Sequence, residues 1–199
     1  MMKANIGEIT KLEDFKNVYQ VFTGEPYNES FTEEELNSIF TKYKQEGYIY
    51  GAFNEEECIG LIAIERGTRK EQPVKYESGK TMYLADVAVL NQYRNSGLGT
   101  QLMVYGLMQS KKMGYDRIYM RTLEEGKSMS YGIAKKIGFR QLPGMYQDVE
   151  RNRQDGSRTV EKSIFLDFDL KTLDKSILSK TNVIPETPTI KQVQEREVM

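Results

Sequence analysis

The sequence predicts one domain of mixed α/β fold, on three observations. Segments with a strand period and segments with a helical period alternate from Asn5 to Phe168. Two apolar runs, Tyr48 to Phe53 and Cys58 to Ile64, flank the charged turn Asn54-Glu55-Glu56-Glu57 and read as an antiparallel hairpin. A strand, a glycine turn and a helix then follow one another without interruption between Met82 and Gly114.

Taken in order, Asn5 to Ile9 is a short strand. Leu12, Phe15, Val18, Tyr19 and Phe22 then fall at helical spacing, so a helix follows it. Thr23-Gly24-Glu25-Pro26-Tyr27-Asn28 breaks that helix. Thr32, followed by Glu33, Glu34 and Glu35, starts another, with acids on the positive end of its dipole and Leu36, Ile39, Phe40 and Tyr43 on its apolar face. After the hairpin, a polar connection from Gly67 to Lys80 leads to the central strand, Met82 to Val89. Asn91 to Thr100 forms a turn, and Leu98, Leu102, Tyr105, Leu107 and Met108 continue as a helix ending at Gly114. Arg117 to Thr122 is a further strand, and Ser128 caps a helix that runs through Ile137 and stops at Gly138-Phe139, where another strand begins. Val160 to Phe168 is the last strand. The domain is thus placed at residues 1–169. Residues 170–199, with Ile184-Pro185-Glu186-Thr187-Pro188, read as a tail, either disordered or docked on a partner subunit in a homodimer.

Of the 199 residues, 39% are hydrophobic, enough to bury a core. With 28 basic and 29 acidic residues, the formal net charge of -1 gives no overall pull towards nucleic acid or anionic lipid, so neither partner is expected. An RNA-binding reading also lacks basic residues interleaved with aromatics. No apolar run approaches the roughly 18 residues that span a bilayer, and Met1 to Asn5 lack the apolar core of a signal peptide, so the expectation is a cytoplasmic protein. The chain has no histidine, which removes the commonest metal ligand and the usual triad base. Zinc chemistry and Ser-His-Asp hydrolysis are excluded, and no metal is expected. The single cysteine, Cys58, forms no internal disulfide and lies in an apolar run, as a structural thiol does.

The turn after the central strand carries the chemistry. Gly97 and Gly99 lack Cβ atoms, so the backbone can approach a ligand while the next helix aims its unpaired N–H groups and positive dipole at it. Arg94 adds a cation, and Ser96 and Thr100 add hydroxyls, which makes a local anion site suited to a pyrophosphate. A glycine-containing turn also forms without any ligand. A P-loop would need Gly-Lys-Ser/Thr, whereas Thr100-Gln101 follows Gly99; the dinucleotide fingerprint would need a third glycine where Leu102 stands.

Arg94-Asn95-Ser96-Gly97-Leu98-Gly99 matches Arg/Gln-x-x-Gly-x-Gly/Ala, the signature of the GNAT superfamily of acetyltransferases, which the chain resembles. Asp86-Val87-Ala88-Val89 is similar to the family's strand ending, and Ala134-Lys135-Lys136-Ile137-Gly138-Phe139 to its late helix-to-strand junction. The resemblance implies a central, mostly antiparallel sheet flanked by helices and splayed at an acyl-coenzyme A site. It implies that the backbone of Val87 and Val89 holds the pantetheine arm, and that Asn95, Ser96, Gly97, Leu98, Gly99 and Thr100 hold the pyrophosphate beside Arg94. It further implies direct transfer of acetyl from acetyl-CoA to the amine of a small molecule or peptide, with no acyl-enzyme.

Such a transfer needs a base for the ammonium and an acid for the leaving thiolate. Family members often place a tyrosine donor on the late helix, where this chain has Ala134; Tyr131, almost one turn earlier, is the nearest replacement, and an ordinary packing role is its alternative. Asp86, near the end of the central strand, is the candidate base, with Glu124 and Glu125 as rivals. Tyr83 and Asp86 differ in strand parity, so at most one should face the acceptor. Glu25 and Tyr27, between the first two helices, and Tyr76, in the polar connection, are the candidate acceptor contacts. The departure at Ala134 also motivates a non-catalytic acyl-CoA sensor as the competing reading.

Overall fold

The computed structural model describes residues 4–24, 27–76, 80–124, 128–174 and 176–177. Strand β1 (Asn5–Glu8) leads into helix α1 (Leu12–Tyr19), which tightens into a 3-10 turn at Gln20–Thr23. Helix α2 (Glu33–Glu46) starts on a reciprocal cap: Thr32 Oγ1 accepts from the Glu35 N–H, and the Glu35 carboxylate accepts from the Thr32 N–H. Strands β2 (Gly47–Asn54) and β3 (Glu57–Arg66) form the expected hairpin around Glu55 and Glu56. The central strand is β4 (Thr81–Val89), followed by α3 (Leu98–Lys112), β5 (Arg117–Leu123) and α4 (Met129–Ile137). Ser128 caps α4 by accepting from the Ser130 N–H, and Gly138, at φ 114°, closes it with bonds to the Ala134 and Lys135 carbonyls. Strands β6 (Arg140–Asn152) and β7 (Arg158–Asp169) complete the sheet.

The seven strands lie in the order β1-β2-β3-β4-β5-β7-β6, and every neighbouring pair is antiparallel except β4 with β5. The sheet is therefore mixed but mostly antiparallel. Its two faces carry different helices because successive strand residues point to opposite sides. Ile62, Ile64 and Leu84 pack with Leu102, Val104 and Leu107 of α3 and Ala134 and Ile137 of α4. Ile49, Leu61 and Ala63 pack on the other side with Phe15, Val18 and Tyr19 of α1 and Tyr43 of α2. Strand β3 is covered on both faces, which is why its sequence is a continuous apolar run rather than an alternation. The packed chain continues past Asp169: Leu170 and Leu173, which hydropathy puts in the tail, are 1% and 8% exposed, and Lys111 Nζ donates to the Leu173 carbonyl. Residues 178–199 lie outside the described residues.

Candidate active site

Strands β4 and β5 pair from Thr81 with Arg117 only as far as Leu84 with Met120, although both continue. Beyond that point β4 keeps β3 as its strand partner and β5 keeps β7, which opens a gap in the sheet. The gap is part of a cleft with a cavity volume of about 560 Å³. In an antiparallel pair, hydrogen-bonded and non-hydrogen-bonded positions alternate. The Leu90 N–H donates to the Ile59 carbonyl at 3.0 Å, and the register pairs Val89 with Gly60 and Val87 with Ile62. Val87 and Val89 are therefore non-hydrogen-bonded towards β3, and their main-chain N–H and C=O groups turn to the side where β5 has departed.

The turn that follows is strongly wound, with Asn95 at φ 60° and Gly97 at φ 88°. At Gly97 this left-handed conformation is the N-cap of α3, and a residue with a Cβ would be strained there. Gly97 supplies no capping side chain, and the first intrahelical bond recorded runs from the Gln101 N–H to the Gly97 carbonyl. Among the described residues, the amides of the first turn, Leu98 to Thr100, so lack helical partners, and Leu98 alone of the three has a contact, a long one of 3.4 Å to Ser96 Oγ. The Ser96 hydroxyl is itself engaged, donating to the Tyr93 carbonyl at 2.6 Å, so it shapes the turn. The two glycines differ in purpose. A Cβ on Gly99 would stand 3.1 Å from Ile133 Cδ1, so Gly99 also lets α3 and α4 meet.

On the opposite face the register contains a bulge: Ala63 pairs with Asp86 and Ile64 with Leu84, leaving Ala85 unmatched. One extra residue reverses the alternation, and Tyr83 and Asp86 both line the cleft. This overturns the parity expectation that only one of them could. Asp86 Oδ2 accepts hydrogen bonds from Tyr19 Oη at 3.1 Å and from Tyr43 Oη. Burial first, and the Asp86 charge second, hold both phenols well above their usual range, so they remain donors. Tyr19 is in turn stacked on Phe15 at 4.7 Å between ring centres, which fixes its direction.

The remaining charges of the cleft are mostly spent on one another. Arg69 grips Glu65 with two bonds of 2.7 and 2.5 Å and lies 4.6 Å over the Tyr83 ring. Arg151 binds Glu29 at 2.7 Å and approaches Glu161 at 3.6 Å. Arg121 donates to the neutral Gln147 Oε1 at 3.0 Å.

Of the residues expected for the acceptor, Tyr27 lines the cleft, and burial, partly offset by the charges of Arg94 and Arg151, raises its phenol. Tyr76 is placed elsewhere: it donates to Asp167 Oδ2 at 2.9 Å and packs against Tyr119. Glu25 and Glu125 lie outside the described residues. Tyr131 packs against the core cluster that Val87, Val89 and Ile133 also border, on the α3 and α4 face, whereas Asp86 faces the α1 and α2 side. Ala134 is fully buried. Cys58 is buried too, and burial pushes its thiol up to about 12. Sequence reasoning missed Tyr19, Tyr43, Arg69 and Arg121. The two tyrosines carried only the signal of a helix's apolar face, and their hydroxyls converge on Asp86 from 67 and 43 residues away.

The family model described as acetyltransferase (GNAT) family matches residues 12–139. No curated protein is similar enough in sequence to count as a match. Among solved structures, an N-acetyltransferase from Staphylococcus aureus Mu50 is 18% identical, with 85% of this chain and 99% of that one covered and a TM-score of 0.62. A Bacillus subtilis acetyltransferase in complex with CoA is 20% identical, with 84% and 99% covered and a TM-score of 0.57. The ribosomal-protein-S18-alanine N-acetyltransferase of Escherichia coli is 12% identical, with 87% and 97% covered and a TM-score of 0.60. At such identities the likeness is one of fold.

Proposed function

The chain belongs to the acetyltransferase (GNAT) family, and from that premise we propose that it moves an acetyl group from acetyl-CoA directly to a primary amine of a small molecule or peptide. The observation that carries this reading is the main chain of Val87 and Val89, unpaired on the β5 side and leading straight to the open amides of α3. The backbone of Val87 and Val89 would hold a pantetheine arm as a strand holds its neighbour, and Asn95 to Thr100, with the Arg94 charge, would hold a pyrophosphate. When bound, acetyl-CoA supplies an activated acetyl group and a thiolate leaving group.

Asp86 orients the acceptor. Its Oδ2 is pinned by two phenols, which leaves Oδ1 for an ammonium and for the proton that the nitrogen must lose. Tyr131, on the α4 side, is the proton donor to the departing sulfur, so base and acid act from opposite faces of the sheet. Cys58, buried and held as a neutral thiol, takes no part.

Titration calorimetry with acetyl-CoA tests the donor site. The intact chain should bind it, and Gly97→Val should weaken binding about tenfold or more, because the left-handed N-cap costs a side chain about 1–3 kcal/mol. Absence of binding by the intact chain overturns the reading. The buried Ala134 favours a second reading, a non-catalytic acyl-CoA sensor, which binds the coenzyme but releases no thiol with any amine.

A further inference from the structure

Three of the charges facing the cleft, apart from Asp86 and Arg121, are already answered within the protein. Arg69 is matched by Glu65, and Arg151 and Glu161 by each other and by Glu29 and Arg153. Two charges are not. The Asp86 carboxylate has neutral phenols as its partners, and Arg121 has a neutral amide; among the described residues neither forms an ion pair. A charge withdrawn into a cleft without a counter-charge is costly, and a ligand that supplies the counter-charge recovers that cost.

The two open charges line the same cleft. Arg121 lies one step beyond the last paired residues, Leu84 and Met120, as Ala85 does on β4, so Arg121 and Asp86 stand on the two strands just where they part. Tyr83 and Tyr119 are paired one turn of the pleat earlier, and Arg121 shares the face of Tyr119 while the bulge brings Asp86 onto that of Tyr83. Burial raises the Tyr83 phenol, Arg121 and Arg69 pull it down and Asp86 pushes it up, so both open charges lie within electrostatic reach of one ring.

We infer, resting on the acetyltransferase reading, that the acceptor is a zwitterion: an amino acid, free or in similar small-molecule form, whose ammonium meets Asp86 and whose carboxylate meets Arg121. The planar guanidinium suits a carboxylate because two parallel N–H groups can bind its two oxygens. Transfer then forms the N–C bond of an amide and breaks the C–S bond of the thioester. The nitrogen gives up two protons: the first passes to Asp86 before attack, and the second leaves as the tetrahedral adduct collapses and replaces the proton given to the sulfur, which departs as a thiol.

The test uses the full chain with acetyl-CoA and three matched probes for each side chain: an amino acid, its decarboxylated amine and its amide. Phenylalanine with phenethylamine and phenylalaninamide, and alanine with ethylamine and alaninamide, make two such sets. Thiol release should favour the free amino acid over both partners by about 10–100-fold in kcat/KM, the range of a charged hydrogen bond. Arg121→Gln should collapse that ratio through KM, and Arg121→Lys should keep part of it. Equal or better rates with the decarboxylated amines, or a preference for the amides as an N-terminal peptide acceptor would show, overturn the zwitterion. If coenzyme binds but no probe releases thiol, thermal shift decides: a rise in Tm with amino acids and not amines upholds the zwitterion site while the transferase reading fails, and no difference overturns both.

Discussion

The proposed donor and acceptor sides of the cleft meet at Ala85 but are built in opposite ways. The proposed donor side is one continuous stretch from Val87 to Thr100, and it presents main chain: two strand positions with no strand neighbour on one edge among the described residues, then helix amides beyond a glycine. The acceptor side is a set of side chains from α1, α2, β4, β5 and the β6–β7 hairpin, drawn together over long separations. Backbone recognition is insensitive to side-chain identity apart from the glycines. A family can therefore keep its donor while individual side chains redefine its acceptor.

That contrast can be broken most directly at Asp86. Asp86→Asn keeps the shape, and should lower kcat/KM for the best amine about 100-fold or more, the scale of a lost general base. Its dissociation constant for acetyl-CoA should stay within about twofold, since Asp86 points away from the donor stretch. Calorimetry and thiol-release kinetics on the same preparation check both halves, and a parallel loss of coenzyme binding would mean that the two sides are one unit.

A smaller effect is expected at Tyr131, which lies on the α3 and α4 face. Tyr131→Phe should reduce kcat by about tenfold or more, with acetyl-CoA affinity unchanged, if its hydroxyl protonates the leaving sulfur. An unchanged kcat would return Tyr131 to core packing, and the acid would have to be sought elsewhere along the gap.

The smallest effect concerns stability. Burial and Asp86 raise the Tyr19 and Tyr43 phenols in the folded chain above their unfolded value of about 10. Their contribution is fully present below that pH and declines as pH rises past it, because the unfolded chain then loses protons that the folded chain keeps. Thermal unfolding should therefore show Tm falling above about pH 10, less steeply in Tyr43→Phe. An equal slope in the variant would remove the tyrosine pair from the acceptor side's electrostatics.

Much of this molecule is legible from local pattern. The Thr32 and Ser128 caps, the Glu55-Glu56 hairpin, the glycine turn and the stop at Gly138 each lie within a few residues of the structure they set. Tyr27 and Asp86 line the cleft, while Tyr76 donates to Asp167, because a polar connection has no period by which to aim a side chain. Leu170 and Leu173 are too few to register as an apolar run, yet both fit against the core.

By itself, the sequence determined the order of elements, the strand–turn–helix with its glycine turn, and the absence of histidine chemistry, all consequences of composition and short-range periodicity. Only the tertiary structure decided which side chains share the α1 and α2 face of the cleft. Ala85 carries no mark of a bulge, yet that one unmatched residue turns Asp86 to the side of Tyr83 and into the reach of Tyr19 and Tyr43. Register is a property of two strands together, and a single chain read residue by residue holds only half of it.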